Sequence, residues 1–159
     1  MVKVLLTGMS GVGKSTILKQ ISKSYSHSID LDYDGWIHMD DMSNDRKMDT
    51  NRIINYIQKY NDEDIVFSGT TINQKEIYPY LDFIITLTAP IEIMHERILS
   101  RENNSFGKSN HDWEKIKNDK REFEQLIMKS SDFVISTDKI ANDIVDEIYN
   151  RVGLNNNNL

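Results

Sequence analysis

One short segment constrains the fold of this chain more than any other. Residues 8–15 read Gly-Met-Ser-Gly-Val-Gly-Lys-Ser and match the pattern G-x-x-x-x-G-K-[ST] at every fixed position. The pattern follows an aliphatic run at residues 2–6 and precedes apolar residues at helical spacing between residues 13 and 25. This strand–loop–helix context is the one that a phosphate-binding loop requires. The segment therefore predicts a nucleotide-binding domain whose first strand lies in a parallel sheet.

The residues of this loop have separate expected roles. Glycines let successive backbone N–H groups turn toward one phosphate, and the N-terminus of the following helix adds partial positive charge. Lys14 is expected to reach the β- and γ-phosphates, and Ser15 to supply an oxygen to Mg²⁺. A glycine-rich turn without a ligand is the alternative. The predicted ATP-binding positions of the loop are Gly8, Ser10, Gly11, Val12, Gly13, Lys14, Ser15 and Thr16, with ATP and Mg²⁺ as the expected cofactors.

The rest of the sequence alternates short apolar runs with helical patterns. The runs predict strands at residues 27–32, 65–67, 83–87 and 133–135, and the patterns predict helices at 50–60, 91–102, 112–129 and 140–152. We therefore expect an α/β protein in three layers, with a five-stranded parallel sheet covered by helices on both faces. Residues 1–152 are predicted to form a single domain, followed by an unfolded tail at 153–159.

Composition limits the compartment and the partners. The chain has 159 residues, of which 38% are hydrophobic and 28% are charged, and its net charge is −6. No apolar run is long enough to span a membrane, and a sequence without cysteine cannot form disulfides or thiolate-ligated zinc sites. The negative charge disfavours nucleic acid as a partner. We therefore expect a cytoplasmic protein, a monomer or a homodimer, that binds small ligands.

Two acidic residues lie at the end of the second predicted strand. Asp30 and Asp32 are two positions apart, so in an extended strand both carboxylates project from the same side. They would stand at the carboxyl end of the sheet, where open α/β sheets bind ligands. We expect Asp30 to help hold magnesium and Asp32 to act as the general base that accepts the proton of an attacking hydroxyl. Which of the two is the base stays open, and solvated acids at a strand end are the alternative.

Other residues near the same strand ends are candidates for binding the phosphoryl acceptor. Gly69, Thr70 and Asn73 would face the same cleft as Asp32, although a turn and a helix cap would explain them as well. Trp36 could wall the acceptor pocket or pack as an ordinary core side chain. Together these five residues form the predicted acceptor-binding set.

Two arginines precede a polar loop at residues 103–109. Arg97 and Arg101 are four positions apart, which would place both guanidiniums on one helix face. The positions one turn before them carry no acidic residue, so surface ion pairing explains them poorly. We expect both to close over the γ-phosphate as catalytic and ATP-binding residues of a lid, acting with Lys14 and Asp32.

The order of these motifs resembles that of the small P-loop kinases of the shikimate, gluconate and nucleoside-monophosphate kinase group. The resemblance covers residues 1 to about 152. It implies the P-loop NTP hydrolase fold with strand order 2-3-1-4-5, an acceptor-binding segment at about 33–63 and a short lid at about 97–110. It also places adenine near residues 136–139, which adds Thr137 to the ATP-binding positions. The group includes AAA-type members described only as ATPases or predicted kinases, and this chain lacks the Gly-Gly-Gly that shikimate kinases carry after strand three.

The acceptor segment bears on the substrate. Between Tyr33 and Glu63 there are seven acidic and four basic residues, which favours a neutral or cationic hydroxyl compound, although Arg46 or Arg52 could still bind a phosphate. We therefore expect ATP- and Mg²⁺-dependent phosphoryl transfer to a small-molecule acceptor. The open alternatives are a nucleoside-monophosphate (adenylate-like) kinase, a nucleotide-binding regulatory ATPase and a polynucleotide 5′-kinase.

Overall fold

A computed structural model of the protein describes residues 1–155, in which strands and helices alternate. In chain order the elements are β1 (Lys3–Thr7), α1 (Lys14–Ile21), β2 (Ser28–Asp30), β3 (Ile37–Met39), β4 (Arg46–Met48), α2 (Thr50–Lys59), β5 (Ile65–Ser68), a 3₁₀ helix (Gln74–Tyr80), β6 (Phe83–Thr88), α3 (Ile91–Ser100), α4 (Asn110–Lys129), β7 (Phe133–Ser136) and α5 (Ala141–Val152).

Five of the strands form one parallel sheet, in the order β2-β5-β1-β6-β7. This confirms the predicted fold class. The numbering differs from 2-3-1-4-5 because a hairpin that the sequence did not predict inserts β3 and β4 between the second and third strands of the sheet. The central strand β1 is buried along its whole length, as its uninterrupted aliphatic run predicts.

The core is divided between the two faces of the sheet because successive side chains of a strand point to opposite faces. Val4 and Leu6 lie in a cluster that includes apolar residues of α1, α3 and α5. Leu5 lies in the other cluster, with apolar residues from β4, α2, β5 and the 3₁₀ helix. Helices therefore cover both faces, which confirms the three-layer arrangement.

The β3–β4 hairpin is an antiparallel pair in which Ile37 lies opposite Met48. Its connection is organised by Asp40, whose Oδ2 accepts hydrogen bonds from Ser43 Oγ (2.7 Å) and Lys47 Nζ (2.9 Å). These two partners lower the pKa of Asp40 to about 2. Three-residue strands are too short to show a period in the sequence, and this explains why the hairpin was not predicted.

The structure also corrects several predicted boundaries. β2 ends at Asp30, so Asp32 lies in the turn after the strand and not in the strand itself. α3 ends at Ser100, which leaves Arg101 in extended conformation beyond the helix. No helix within residues 1–155 combines the length and apolar character that a membrane span needs.

The predicted unfolded tail is wrong for its first three residues. Gly153 ends α5 in left-handed conformation, with φ +73°, and Leu154 is buried in the core. The backbone oxygen of Asn155 accepts a hydrogen bond from Tyr25 Oη at 2.7 Å. Residues 156–159 lie outside the described part of the chain.

Candidate active site

The phosphate loop joins β1 to α1 at the carboxyl end of the sheet. Its backbone has positive φ at Gly8 (+145°), Gly11 (+86°) and Gly13 (+94°). A Cβ on Gly8 would stand 2.3 Å from the Leu87 oxygen of the neighbouring strand, so only glycine fits at this position. Ser10 is half-buried in the loop, and Thr16 is exposed in the first turn of α1. The loop therefore has the tight curvature that its sequence predicts.

Lys14 bends back over the loop that precedes it. Its Nζ donates to the backbone oxygens of Gly8 (2.7 Å) and Met9 (3.0 Å). The residue as a whole is half-buried, but its ammonium lies deep among protein atoms, and burial lowers the pKa of Lys14 to about 8. Two loop carbonyls thus hold this cation where the loop would cradle a phosphate.

Four further charged groups surround the Lys14 ammonium closely enough to act on its pKa. Asp32 and Asp30 favour the charged form of Lys14, whereas Arg46 and Arg101 disfavour it. These groups come from three distant segments of the chain: the end of β2 and the turn after it, β4, and the predicted lid loop after α3. The fold therefore gathers cations and carboxylates around the phosphate loop.

Asp30 contacts the phosphate loop directly. Its Oδ2 accepts a hydrogen bond of 2.6 Å from Ser15 Oγ, and its Oδ1 accepts one of 3.1 Å from the backbone N–H of Asp32. A hydroxyl oxygen and a carboxylate oxygen at this separation are the donors that Mg²⁺ takes when phosphates and waters complete its shell. Residues 1–155 contain no group of three or more acidic or histidine side chains that could hold a metal by themselves. The donor set fits a magnesium ion that is bound together with a nucleotide.

Asp32 is held by Arg46, which the sequence reasoning named only as a possible ligand of an acceptor phosphate. Arg46 Nη2 lies 2.9 Å from Asp32 Oδ1, and the side chains of the two residues are 55% and 40% exposed. Arg46 is the first residue of β4, so the unpredicted hairpin brings it to the phosphate loop. The only signal for it in the sequence was its membership of the acceptor segment.

Arg97 lies against the phosphate loop, but it does not point freely into the site. Its Nη1 donates to the oxygen of Val12 (3.1 Å) and to Thr137 Oγ1 (2.8 Å), and its Nη2 donates to the backbone oxygen of Thr137 (2.7 Å). Thr137 is buried, and its hydroxyl also donates to the oxygen of Val12 at 2.6 Å. Both residues were predicted to bind ATP. In the structure they bond each other and the backbone oxygen of Val12, and so they support the phosphate loop.

Arg101 does not share a helix face with Arg97, because α3 ends before it. Its Nε donates to the oxygen of Asn104 (3.2 Å) and its Nη2 to the oxygen of Phe106. Burial lowers the pKa of Arg101, and its charge acts on Lys14. The predicted lid loop is thus folded around one of its own arginines, close to the phosphate loop.

The three residues predicted to bind the acceptor after β5 are engaged in the scaffold. Thr70 Oγ1 accepts from the backbone N–H of Gly8 (3.0 Å) and donates to the oxygen of Gly8 (2.7 Å), so it braces the phosphate loop. The Asn73 amide bonds both backbone groups of Met48, at 2.9 and 3.1 Å, and pins the hairpin. Gly69 packs against Leu31, where a Cβ would meet a side-chain atom at 3.0 Å.

An open cleft of about 640 Å³ runs along the free edge of β2. Trp36 lines it and is also part of the core, at 6% exposed. The guanidinium of Arg52 lies 3.8 Å from the centre of a Trp36 ring and donates to the oxygen of Asp34 at 2.8 Å. The full lining is Ser28, Ile29, Asp30, Tyr33, Asp34, Trp36, Arg52 and Tyr56. Asp30 therefore connects this cleft to the phosphate loop.

Comparisons with known proteins agree with this architecture. Shikimate kinase from Bacteroides thetaiotaomicron superposes with a TM-score of 0.66 at 14% identity, covering 96% of this chain and 99% of that one. Deoxyadenosine kinase from M. mycoides gives 0.64 at 15% identity, covering 96% and 100%. A gluconokinase from Sinorhizobium meliloti gives 0.57 at 16% identity, covering 96% and 91%. At these identities the likeness shows the fold, which is that of the P-loop kinases.

The sequence comparisons give the family. No curated protein matches the chain. A family model described as "AAA domain" matches residues 4–124, a stretch that runs from β1 through most of α4 and includes the phosphate loop, both aspartates and the arginines around Lys14. The chain therefore belongs to this AAA domain family, and it has the P-loop kinase fold.

Proposed function

We propose that this protein catalyses ATP- and Mg²⁺-dependent phosphoryl transfer to the hydroxyl group of a small molecule. The observation that carries the proposal is the 2.6 Å hydrogen bond between Ser15 and Asp30. It holds the Asp30 carboxylate at the phosphate loop, with Asp32 two residues away, where a kinase needs both a metal-side oxygen and a proton acceptor.

The phosphate loop supplies the nucleotide-binding half of the site. Its backbone N–H groups and the N-terminus of α1 would surround the β-phosphate, and Lys14 would exchange its two carbonyl partners for phosphate oxygens. Ser15 and Asp30 would hold Mg²⁺. When bound, this ion neutralises charge on the β- and γ-phosphates.

Asp32 and Arg101 supply the transfer half. Asp32 is exposed in the turn after β2, so its carboxylate can meet the hydroxyl of an acceptor and take its proton. Arg101 lies near Lys14 on the loop after α3, and closure of that loop would bring its guanidinium to the charge that develops on the transferring group. The acceptor would lie beside Asp32, with Trp36 and the cleft along β2 as its nearest concave surface.

The fold supports this class of reaction, because the similar solved structures are named as kinases for shikimate, gluconate and deoxyadenosine. A second candidate is a nucleoside-monophosphate kinase, and one observation favours it. Arg52 presents a flat guanidinium in the cleft, fixed by Trp36 and by the oxygen of Asp34, and the ion pairs of the described residues do not include it. Such a fork binds phosphate or carboxylate oxygens well.

Acceptor-dependent release of ADP tests the proposal. The purified protein is given Mg²⁺ and ATP with hydroxyl metabolites, nucleosides, nucleoside monophosphates or a 5′-hydroxyl oligonucleotide, and ADP is followed by a coupled assay. We expect one class of hydroxyl metabolite to raise the rate at least tenfold above the rate without acceptor, and Lys14→Ala to abolish the rise. Stimulation by monophosphates alone would select the second candidate. Slow ADP release that no acceptor changes would indicate a regulatory ATPase.

A further inference from the structure

We propose that Arg46 is a further catalytic residue of this site and contacts the γ-phosphate of bound ATP. The inference rests on the proposed function, because it requires a triphosphate in the phosphate loop. It adds a residue that the motifs did not indicate, contributed by the β3–β4 hairpin. Arg46 and Arg101 would then approach the transferring group from two different segments of the chain.

The position of Arg46 is the first argument. Its guanidinium is 2.9 Å from Asp32, and its charge acts on the buried ammonium of Lys14. Lys14 marks where the β- and γ-phosphates bind in a loop of this type. Arg46 is therefore paired with the predicted base and lies within electrostatic range of the residue that marks the phosphoryl donor.

The second argument is that Arg97 is already engaged. The sequence predicts that Arg97 and Arg101 both contact the γ-phosphate. In the structure, however, Arg97 donates its three hydrogen bonds to Val12 and Thr137. Moving the Arg97 guanidinium away from these partners would leave the buried Thr137 oxygen without its charged donor. Arg46 has a single partner among the described residues, the half-exposed Asp32, so it can turn toward a ligand at much lower cost.

The third argument is that the hairpin is a fixed support. Asn73 bonds both backbone groups of Met48, two residues beyond Arg46. Asp40 closes the connection at the other end through Ser43 and Lys47. The backbone of Arg46 is therefore held in place, and only its side chain needs to move.

Charge gives the direction of that movement. In the structure Arg46 pairs with one carboxylate, and exposed pairs of this kind are weak. A bound triphosphate presents more negative charge and several acceptor oxygens, so the guanidinium is drawn toward the γ-phosphate. The same movement frees the Asp32 oxygen to accept the proton of an acceptor hydroxyl. ATP binding would thus uncover the base.

The test compares binding of two nucleotides and needs no acceptor. Dissociation constants for Mg²⁺–ADP and for the non-hydrolysable β,γ-imido analogue of ATP are measured by calorimetry on the wild type, Arg46→Gln and Arg46→Lys. We expect Arg46→Gln to weaken binding of the imido analogue roughly tenfold to a hundredfold, the range for one charge-assisted hydrogen bond, and ADP binding by less than twofold. Arg46→Lys should recover only part of the loss, because its ammonium lacks the planar fork.

Two controls separate this role from others. Lys47→Gln removes the positive charge of the adjacent residue of β4, while Asn73 still holds the hairpin at Met48 and Ser43 still bonds Asp40, so it should leave both constants unchanged. The Asp32→Asn background removes the carboxylate that Arg46 neutralises, and the loss caused by Arg46→Gln should persist in it. Circular dichroism and urea unfolding check that each variant is folded.

Three results would overturn the inference. They are an equal loss of affinity for ADP and for the imido analogue in Arg46→Gln, the same loss of affinity in Lys47→Gln, and a loss of affinity that vanishes in the Asp32→Asn background. The last result would mean that Arg46 only neutralises Asp32. If Arg46→Gln does not fold, Arg46→Lys carries the comparison, and unchanged affinity for the imido analogue in that variant counts against a bidentate contact. A wild-type protein that binds neither nucleotide would instead refute the proposed function.

Discussion

The buried ammonium of Lys14 makes nucleotide binding dependent on pH. Burial lowers the pKa of Lys14 to about 8, from 10.5 for an ordinary lysine. A bound triphosphate stabilises the charged form and raises this pKa again. For a base whose pKa rises on binding, affinity is greatest below the pKa of the free site and falls as the pH increases through it.

The magnitude follows from the titration of one group. At pH 7 about nine tenths of Lys14 is protonated in the empty site, and at pH 9 only about one tenth is, because each pKa unit corresponds to a factor of ten or 1.36 kcal/mol. ATP affinity should therefore be about tenfold lower at pH 9 than at pH 7. Binding at pH 9 should take up about 0.9 proton per molecule of ATP, and binding at pH 7 about 0.1.

Calorimetry in two buffers with different enthalpies of ionisation measures this uptake directly. The difference between the apparent binding enthalpies, divided by the difference between the ionisation enthalpies, gives the number of protons. Lys14→Arg is the matched variant, since its guanidinium remains charged throughout this range. It should take up almost no proton at pH 9. An uptake below about 0.2 at pH 9 in the wild type would refute the reasoning, because Lys14 would then be fully charged in the empty site.

Three further predictions concern residues with separate tasks. Asp32→Asn should lower the rate of phosphoryl transfer by ~10²–10⁴-fold, with ATP affinity little changed, as expected for loss of a general base. Steady-state kinetics with the identified acceptor measures this rate, and an unchanged rate would mean that another residue is the base. Arg97→Met should lower the free energy of unfolding in urea by about 2 kcal/mol, and Thr137→Val by about 1 kcal/mol, since each removes hydrogen bonds among Arg97, Thr137 and the Val12 oxygen. Full stability in both variants would mean that these hydrogen bonds do not stabilise the fold. Gly107→Ala should lower the free energy of unfolding by about 2 kcal/mol in the same assay, because φ is +91° and a Cβ would stand 2.6 Å from the Ile116 side chain. An unchanged free energy of unfolding would contradict this packing of the lid loop.

The sequence predicts the parts of the fold that are locally encoded. The phosphate loop needs only one strand, three glycines and one helix, all within about twenty residues, and its structure follows the motif. The Asp49 carboxylate accepts from the N–H of Arg52 and begins α2, as expected for an N-terminal cap. Asp30 stands at the carboxyl end of β2, and it contacts the phosphate loop because parallel strands bring their carboxyl ends to one edge of the sheet.

The differences from the sequence prediction arise where the position of a side chain depends on contacts between distant segments. Helical spacing describes the face on which Arg97 lies, but it contains no information on the Thr137 oxygen forty residues later that engages it. No glycine or proline marks the end of α3, so the extended backbone of Arg101 could not be foreseen from its own residues. Arg46 reaches the site only because two three-residue strands pair, and such strands are too short for periodicity to detect.

The fate of the γ-phosphoryl group tests the central claim most directly. ATP labelled with ¹⁸O in its γ-phosphoryl group is incubated with the protein, Mg²⁺ and the acceptor that most stimulates ADP release, and the products are followed by ³¹P NMR. We predict that the label appears in a phosphate ester of the acceptor, in amounts equal to the ADP formed, and that Lys14→Ala forms none. Label found only in inorganic phosphate, with no ester formed, would contradict phosphoryl transfer and leave the protein an ATPase.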